Sequence, residues 1–167
     1  CINSDLANNY GNLCQRTISF ALKNCDGKIP NQIKFEEEDK KILNEYSKNL
    51  DNIRSNIDDQ NINYYIDFIV NSLFAANKYF NDQEPWKKKE NQIRLNTIVY
   101  TTLEVIRKIS YMLYPIIPES SLKVLKIFDL KENEIDISSI SKHDFLKLGN
   151  KINSINILFK KIEKNND

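Results

Sequence analysis

Residues 88–115, KKENQIRLNTIVYTTLEVIRKISYMLYP, decide the fold class. Ile98, Val99, Thr102, Leu103, Ile106, Ile109 and Leu113 recur at helical spacing, which predicts one helix from about Lys88 to Tyr114. Pro115 stops it, because proline has no N–H to continue the ladder. Upstream, Leu6, Tyr10, Leu13, Thr17, Ile18 and Ala21 predict a first helix from Asn3 to about Asn24. Asp26-Gly27 ends it, with Pro30 beyond. A second helix opens on the acidic run Glu36–Asp39, favourable beside a helix N-terminus, and continues through Leu43, Tyr46, Leu50, Ile53 and Ile57. A third, from about Asn61 to Asn81, carries Tyr65, Ile66, Ile69, Val70, Leu73, Phe74 and Phe80. Its stripe is wide enough for contact on two sides, so it is expected at the centre. Downstream, Pro118-Glu119 opens a short fifth helix. Residues 129–145 read as a polar surface excursion, and the last segment as a partly helical, solvated tail. The expectation is all-α: an antiparallel bundle of about five main helices, forming a single domain over 1–167.

Composition agrees with that class. Only 3 glycines and 4 prolines occur in 167 residues, too few for the tight turns of a sandwich or barrel. Hydrophobic residues at 41% and charged residues at 28% are ordinary for a globular chain with a proper core. The net charge of +1 does not advertise a nucleic-acid binder, so any such binding must be local. Cys1, Cys14 and Cys25 are odd in number and form no C-x-x-C pair, which points to a reducing cytosol and a cytoplasmic protein. No apolar run approaches the ~18 residues of a membrane span, so no membrane role is expected. The abrupt opening at Cys1, in what reads as mid-helix, suggests a piece of a longer protein.

Catalytic patterns are missing. There is no glycine-rich phosphate loop, no H-E-x-x-H, no G-x-S-x-G and no metal-ligand spacing of cysteine and histidine. The sole histidine, His143, is expected as a solvated surface residue, and the carboxylates on water-facing helix surfaces or near helix starts. No catalytic residue, metal or cofactor is assigned to these residues.

Two constellations suit RNA. In GNLCQR, Asn12 and Arg16 are four apart and project from one helix face. An amide offers a donor beside an acceptor and a guanidinium offers a planar fork, the groups that read base edges; a surface Asn with a locally paired Arg is the alternative. In NKYFNDQEPWKKK (77–89), Trp86 follows the stiff Pro85 and precedes Lys87, Lys88 and Lys89. An indole at a helix break either packs inward or offers a face on which a single-stranded base stacks. The lysines either meet phosphates or keep a helix start soluble.

NSDLANNYGNLCQR (3–16) resembles the opening helix of the anticodon-binding domain of methionyl-tRNA synthetases, with its N-x-D-L/I-x-N core and N-L-x-x-R continuation. NKYFNDQEPWKKK resembles that family's N-[KR]-Y-x-x-x-x-P-W element. LYPIIPESSLKVLKIFDL (113–130) is similar to its L-x-P-x-x-P segment, and LFKKIE (158–163) to its closing L-F-x-[KR]-I-E. The four matches fall in family order.

The resemblance implies a helix bundle of a class I synthetase that recognises the methionine anticodon CAU, so the expected partners are methionine-accepting tRNA and the protein's own catalytic domain, not DNA. Asn12 and Arg16 match the family's anticodon-contacting Asn and Arg; Trp86 matches its tryptophan that stacks on the first base, with Pro85 shaping the turn. Supporting positions are Asn8, Asn77, Asn81, Asp82 and Lys87. Many members carry Asp where this chain has Asn81, and Pro is frequent where it has Lys160. The family's histidine motif and K-M-S-K-S loop do not occur here; the resemblance puts them, with ATP and Mg, in an upstream catalytic domain. A related synthetase for Ile, Leu, Val or Cys, or a helical protein-interaction module, is the alternative reading.

Overall fold

In the computed structural model, which describes residues 2–153, five helices follow one another: α1 (Ile2–Asn24), α2 (Glu37–Asp58), α3 (Ile62–Gln83), α4 (Gln92–Leu113) and α5 (Pro118–Ile127). Among the described residues the one extended pairing is an isolated antiparallel bridge between Lys28 and Lys151. The fold is an all-α bundle, as the periodicity predicts. Cross-helix contacts give its directions. Tyr10 meets Ser110 and Cys25 meets Asn96, so α1 runs antiparallel to α4. Tyr65 meets Met112 and Gln83 meets Arg94, so α3 does too. Hence α1 and α3 run parallel to each other, which matters for the site.

Local chemistry sets the helix ends. Glu36 and Asp39 form a capping box at the start of α2, where the Glu36 amide donates to Asp39 Oδ2 at 2.8 Å. The Asn61 and Asn91 side chains accept from the amides of Tyr64 and Arg94 to cap α3 and α4. The last cap corrects the expectation that the fourth helix starts at Lys88: residues 85–87 form a separate 3-10 turn and α4 begins at Gln92. After α1 both Asp26 (φ 56°) and Gly27 (φ 67°) are left-handed, so glycine does not make the reversal alone.

The central helix is α4 rather than α3. Every residue from Arg94 to Leu113 is buried, including Thr97, Thr101, Glu104, Arg107 and Lys108, whose polarity hides that centrality in the sequence. On α3, Phe74 faces water instead of the core, and on α2 so does Ile57. The expectation that carboxylates lie on water-facing surfaces or near helix starts fails at Glu104, which is fully buried in mid-helix; Asp39 is buried too but sits in the first turn of α2.

Residues 129–145 are not a mere excursion. Ser139 and Ile140 are buried, with Leu146 just beyond, because α4 has cationic side chains that need acceptors there. Arg107 donates to the Ser139 and Lys142 carbonyls at 3.1 and 3.0 Å, and Lys108 Nζ to the Ile140 carbonyl at 2.7 Å. Glu104 pairs with Arg107 at 2.9 Å and accepts from the Leu146 amide at 2.6 Å. His143 belongs to this cluster, half-buried with Nδ1 3.3 Å from Lys108 Nζ, and is not the solvated residue expected. The closing stretch 158–163, with Lys160, lies outside the described residues.

Burial and the neighbouring Arg107 charge push Lys108 down to about 7, below the ~10.4 of an unfolded lysine. Above that folded value the unfolded chain holds the extra proton, so stability is expected to rise as pH increases from about 7 to 9. Beyond that the buried Cys25 thiol, pushed up to about 11, acts in the opposite sense. Thermal melts across the window should rise for the natural sequence and flatten for Lys108→Met; a flat profile in both would refute the assignment.

Candidate nucleic-acid interface

The last turn of α3 and the 3-10 turn Pro85–Lys87 build the candidate site. Glu84 joins them in the left-handed region (φ 47°), a conformation that costs a non-glycine residue about 1–2 kcal/mol. Pro85 follows at the first position of the turn, buried, where its ring presets the backbone. Two lysines brace the corner: Lys87 pairs with Glu84 at 3.0 Å and Lys88 Nζ donates to the Gln83 carbonyl at 2.6 Å. The turn holds Trp86 half out of the protein, 40% exposed, with its ring centroid 6.1 Å from that of buried Phe80.

Arg16 reaches this corner from α1. Its guanidinium carbon lies 4.9 Å from the Phe80 ring centroid and 5.6 Å from that of Trp86, and Nη2 donates to Asn81 Oδ1. Phe20, one turn further along α1, meets Phe80 edge-on at 5.7 Å. Residues 16, 80, 81 and 86 therefore form one cluster, in which a cation over two rings is held by an amide oxygen. Among the described residues Arg16 is thus neither free nor in a local ion pair.

A buried network fixes the cluster from behind. Arg94 is bidentate to Asp39, with Nη1–Oδ2 at 2.7 Å and Nη2–Oδ1 at 3.0 Å, and Nη2 also donates to Gln83 Oε1 at 2.7 Å. The Tyr79 hydroxyl donates to the same carboxylate. Burial by itself would raise the Asp39 pKa. The hydrogen bonds from Arg94, Tyr79 and the Glu36 amide, with the Arg94 charge, outweigh it and hold the carboxyl below its ordinary value. Gln83, the residue that enters the turn, is thereby tied to α2 and α4.

The other expected residues divide. Asn12 and Asn8 are exposed on α1, and Asn12 lies one turn before Arg16. Asn77 donates to the Leu73 carbonyl of its own helix at 3.1 Å. Asp82 is an exposed partner of Lys78 and does not meet Arg16, so the acceptor role falls to Asn81. The sequence places Phe80 and Asp39 on helices but gives neither them nor Arg94 a part in this site. A hint existed for Arg94, which shares the stripe of Ile98 four residues on. A cleft of 440 Å³ between α2 and α3, over Tyr46 and Phe68, lies on the other flank of α3 and includes neither Trp86 nor Arg16.

Among the described residues no cluster of His, Cys, Asp and Glu is set to hold a metal, and no helix is long and apolar enough to cross a membrane. The family model described as the anticodon binding domain of methionyl tRNA ligase matches residues 29–167, which include Trp86 but not Arg16. Methionine–tRNA ligase of Brucella suis is 42% identical over 126 residues, covering 75% of this chain and 24% of that protein. The Mycobacterium leprae ligase is 37% identical over 145 residues, covering 84% of this chain and 27% of that protein. Mycobacterium tuberculosis methionyl-tRNA synthetase, solved in complex with methionyl-adenylate, superposes with a TM-score of 0.82 at 33% identity, covering 92% of this chain and 31% of that one. The chain thus spans about a quarter of the length of these curated relatives.

Proposed function

The chain belongs to the anticodon-binding domain family of methionyl-tRNA ligase, and from that premise we propose that its Trp86 corner reads the first base of the anticodon CAU in a methionine-accepting tRNA. One observation carries the reading: Arg16 is held by Asn81 and by two rings beside a half-exposed indole. An unpaired base stacked on Trp86 brings its edge to the remaining donors of Arg16 and to the exposed amide of Asn12. That is the splay, stack and hydrogen-bond route by which single-stranded RNA is read. Pro85 sets the angle of the indole. Asn81 supports the cluster, Lys87 exchanges its exposed partner Glu84 for a phosphate when RNA binds, and Asn77, Asn8 and Asp82 border the surface.

This domain serves a ligase that joins methionine to tRNA at the expense of ATP. The partners are the tRNA and the protein's own catalytic domain, where ATP and Mg act, in the cytoplasm. DNA and membranes play no part. The near-neutral charge fits a module that discriminates while other surfaces supply much of the backbone affinity.

The test is binding of a stem-loop carrying CAU against the same loop with its first base changed. The altered loop should bind about 1–3 kcal/mol more weakly, the worth of a good base-edge contact. Arg16→Lys should shrink that gap, because a point charge cannot replace a fork over two rings. Equal binding of both loops by the natural sequence defeats the proposal.

A further inference from the structure

Phe74 is 68% exposed, the most exposed large hydrophobic side chain among the described residues, and it meets no other aromatic ring there. Its position on α3 gives that exposure a meaning. Phe74 precedes Asn81 by seven residues, two helical turns, so both lie on one face about 10 Å apart along the axis. Asn81 is the residue that holds Arg16. Because α1 and α3 run parallel, Asn77 and Asn12 each stand one turn back from that contact, between the two levels. A line of exposed or half-exposed groups therefore leads from Trp86 through Arg16 and Asn81, past Asn12 and Asn77, to Phe74. The 10 Å from Asn81 back to Phe74 along α3 equals about three base steps of a stacked strand. A strand with its bases splayed onto separate platforms covers it in fewer.

We infer that Phe74 is a second stacking platform, which takes the second base of the anticodon next to the one at Trp86. The inference rests on the reading proposed above and extends it along the same face. The occupant is a nucleobase rather than a protein because the ring continues a row of amides and a guanidinium that suit base edges, and because one isolated ring is too small for a protein interface. The Asn77 amide donates to the Leu73 carbonyl of its own helix through nitrogen, and its oxygen remains an acceptor by chemistry.

The experiment uses the complete natural protein that carries this chain and a CAU stem-loop in which 2-aminopurine replaces the second base. Binding of the natural protein should quench the probe, since a stacked 2-aminopurine loses its emission. Phe74→Ala should abolish the quench and weaken binding about 5- to 150-fold, the range that one stacked base commands. Phe74→Tyr, which keeps the ring, should retain both. If Trp86→Ala weakens binding while Phe74→Ala changes neither the quench nor the affinity, the second platform is refuted and the first stands. A Phe74→Ala effect confined to a probe at another loop position, or a lowered melting temperature with RNA binding unchanged, overturns the assignment as well. In the second case the ring covers protein. If the natural protein binds no CAU loop, both readings fall together.

Discussion

Arg94→Ala is expected to destabilise the fold by about 3–5 kcal/mol, because it leaves the Asp39 carboxylate buried without its counter-ion. Arg94 is 8% exposed and Asp39 is fully buried, so water cannot take over either oxygen of the bidentate pair. Tyr79 and the Glu36 amide would remain as the donors to that carboxylate. Urea unfolding measures the loss, and a loss under about 1 kcal/mol would place the pair among ordinary surface ion pairs. Replacing both partners with leucine should recover much of the stability, since an apolar pair leaves no charge unpaired. The same variant should loosen Gln83 and with it the Trp86 corner, weakening RNA discrimination even where the fold survives. Acid acts on the same site. The folded Asp39 pKa lies below its unfolded value, so its stabilising contribution is present above about pH 4 and is lost as pH falls through the folded value.

Trp86→Ala is expected to cost about 1–3 kcal/mol of CAU stem-loop binding, the worth of one base stacked on one ring. The fold should survive. The indole is already 40% exposed, and its removal takes away one tilted ring pair and one cation–π contact, about 1–2.5 kcal/mol of stability together. Trp86→Phe should retain part of the binding, because a smaller face still stacks and still carries Arg16. Titration of the stem-loop against all three proteins, with a melt of each as control, separates the outcomes. Natural affinity in Trp86→Ala removes the stacking role, and a collapsed fold shows that the indole was needed for packing.

The fold is legible in the sequence where its determinants are local. Helical spacing, Pro115, Pro118 and the acidic start of the second helix located the helices, and the NKYFNDQEPWKKK stretch singled out Trp86. It is not legible where burial depends on neighbours. The width of one apolar stripe put α3 at the centre, but α4 lies there: its threonines bond carbonyls of their own helix, and Glu104, Arg107 and Lys108 find further partners in residues 139–146 that the spacing could not bring near. The stretch 129–145 looked solvated for the same reason: its carbonyls become valuable only once two buried cations need acceptors.

The sequence by itself determined the helices, their breaks and the residue types able to read RNA, because each follows from chain geometry within a few positions. Tertiary structure alone decided which of those residues act together. Arg16 and Asn81 are 65 positions apart, and Arg94 and Asp39 are 55. Their meeting depends on helix direction and on the axial register of one helix against the next, which packing fixes and no local spacing encodes.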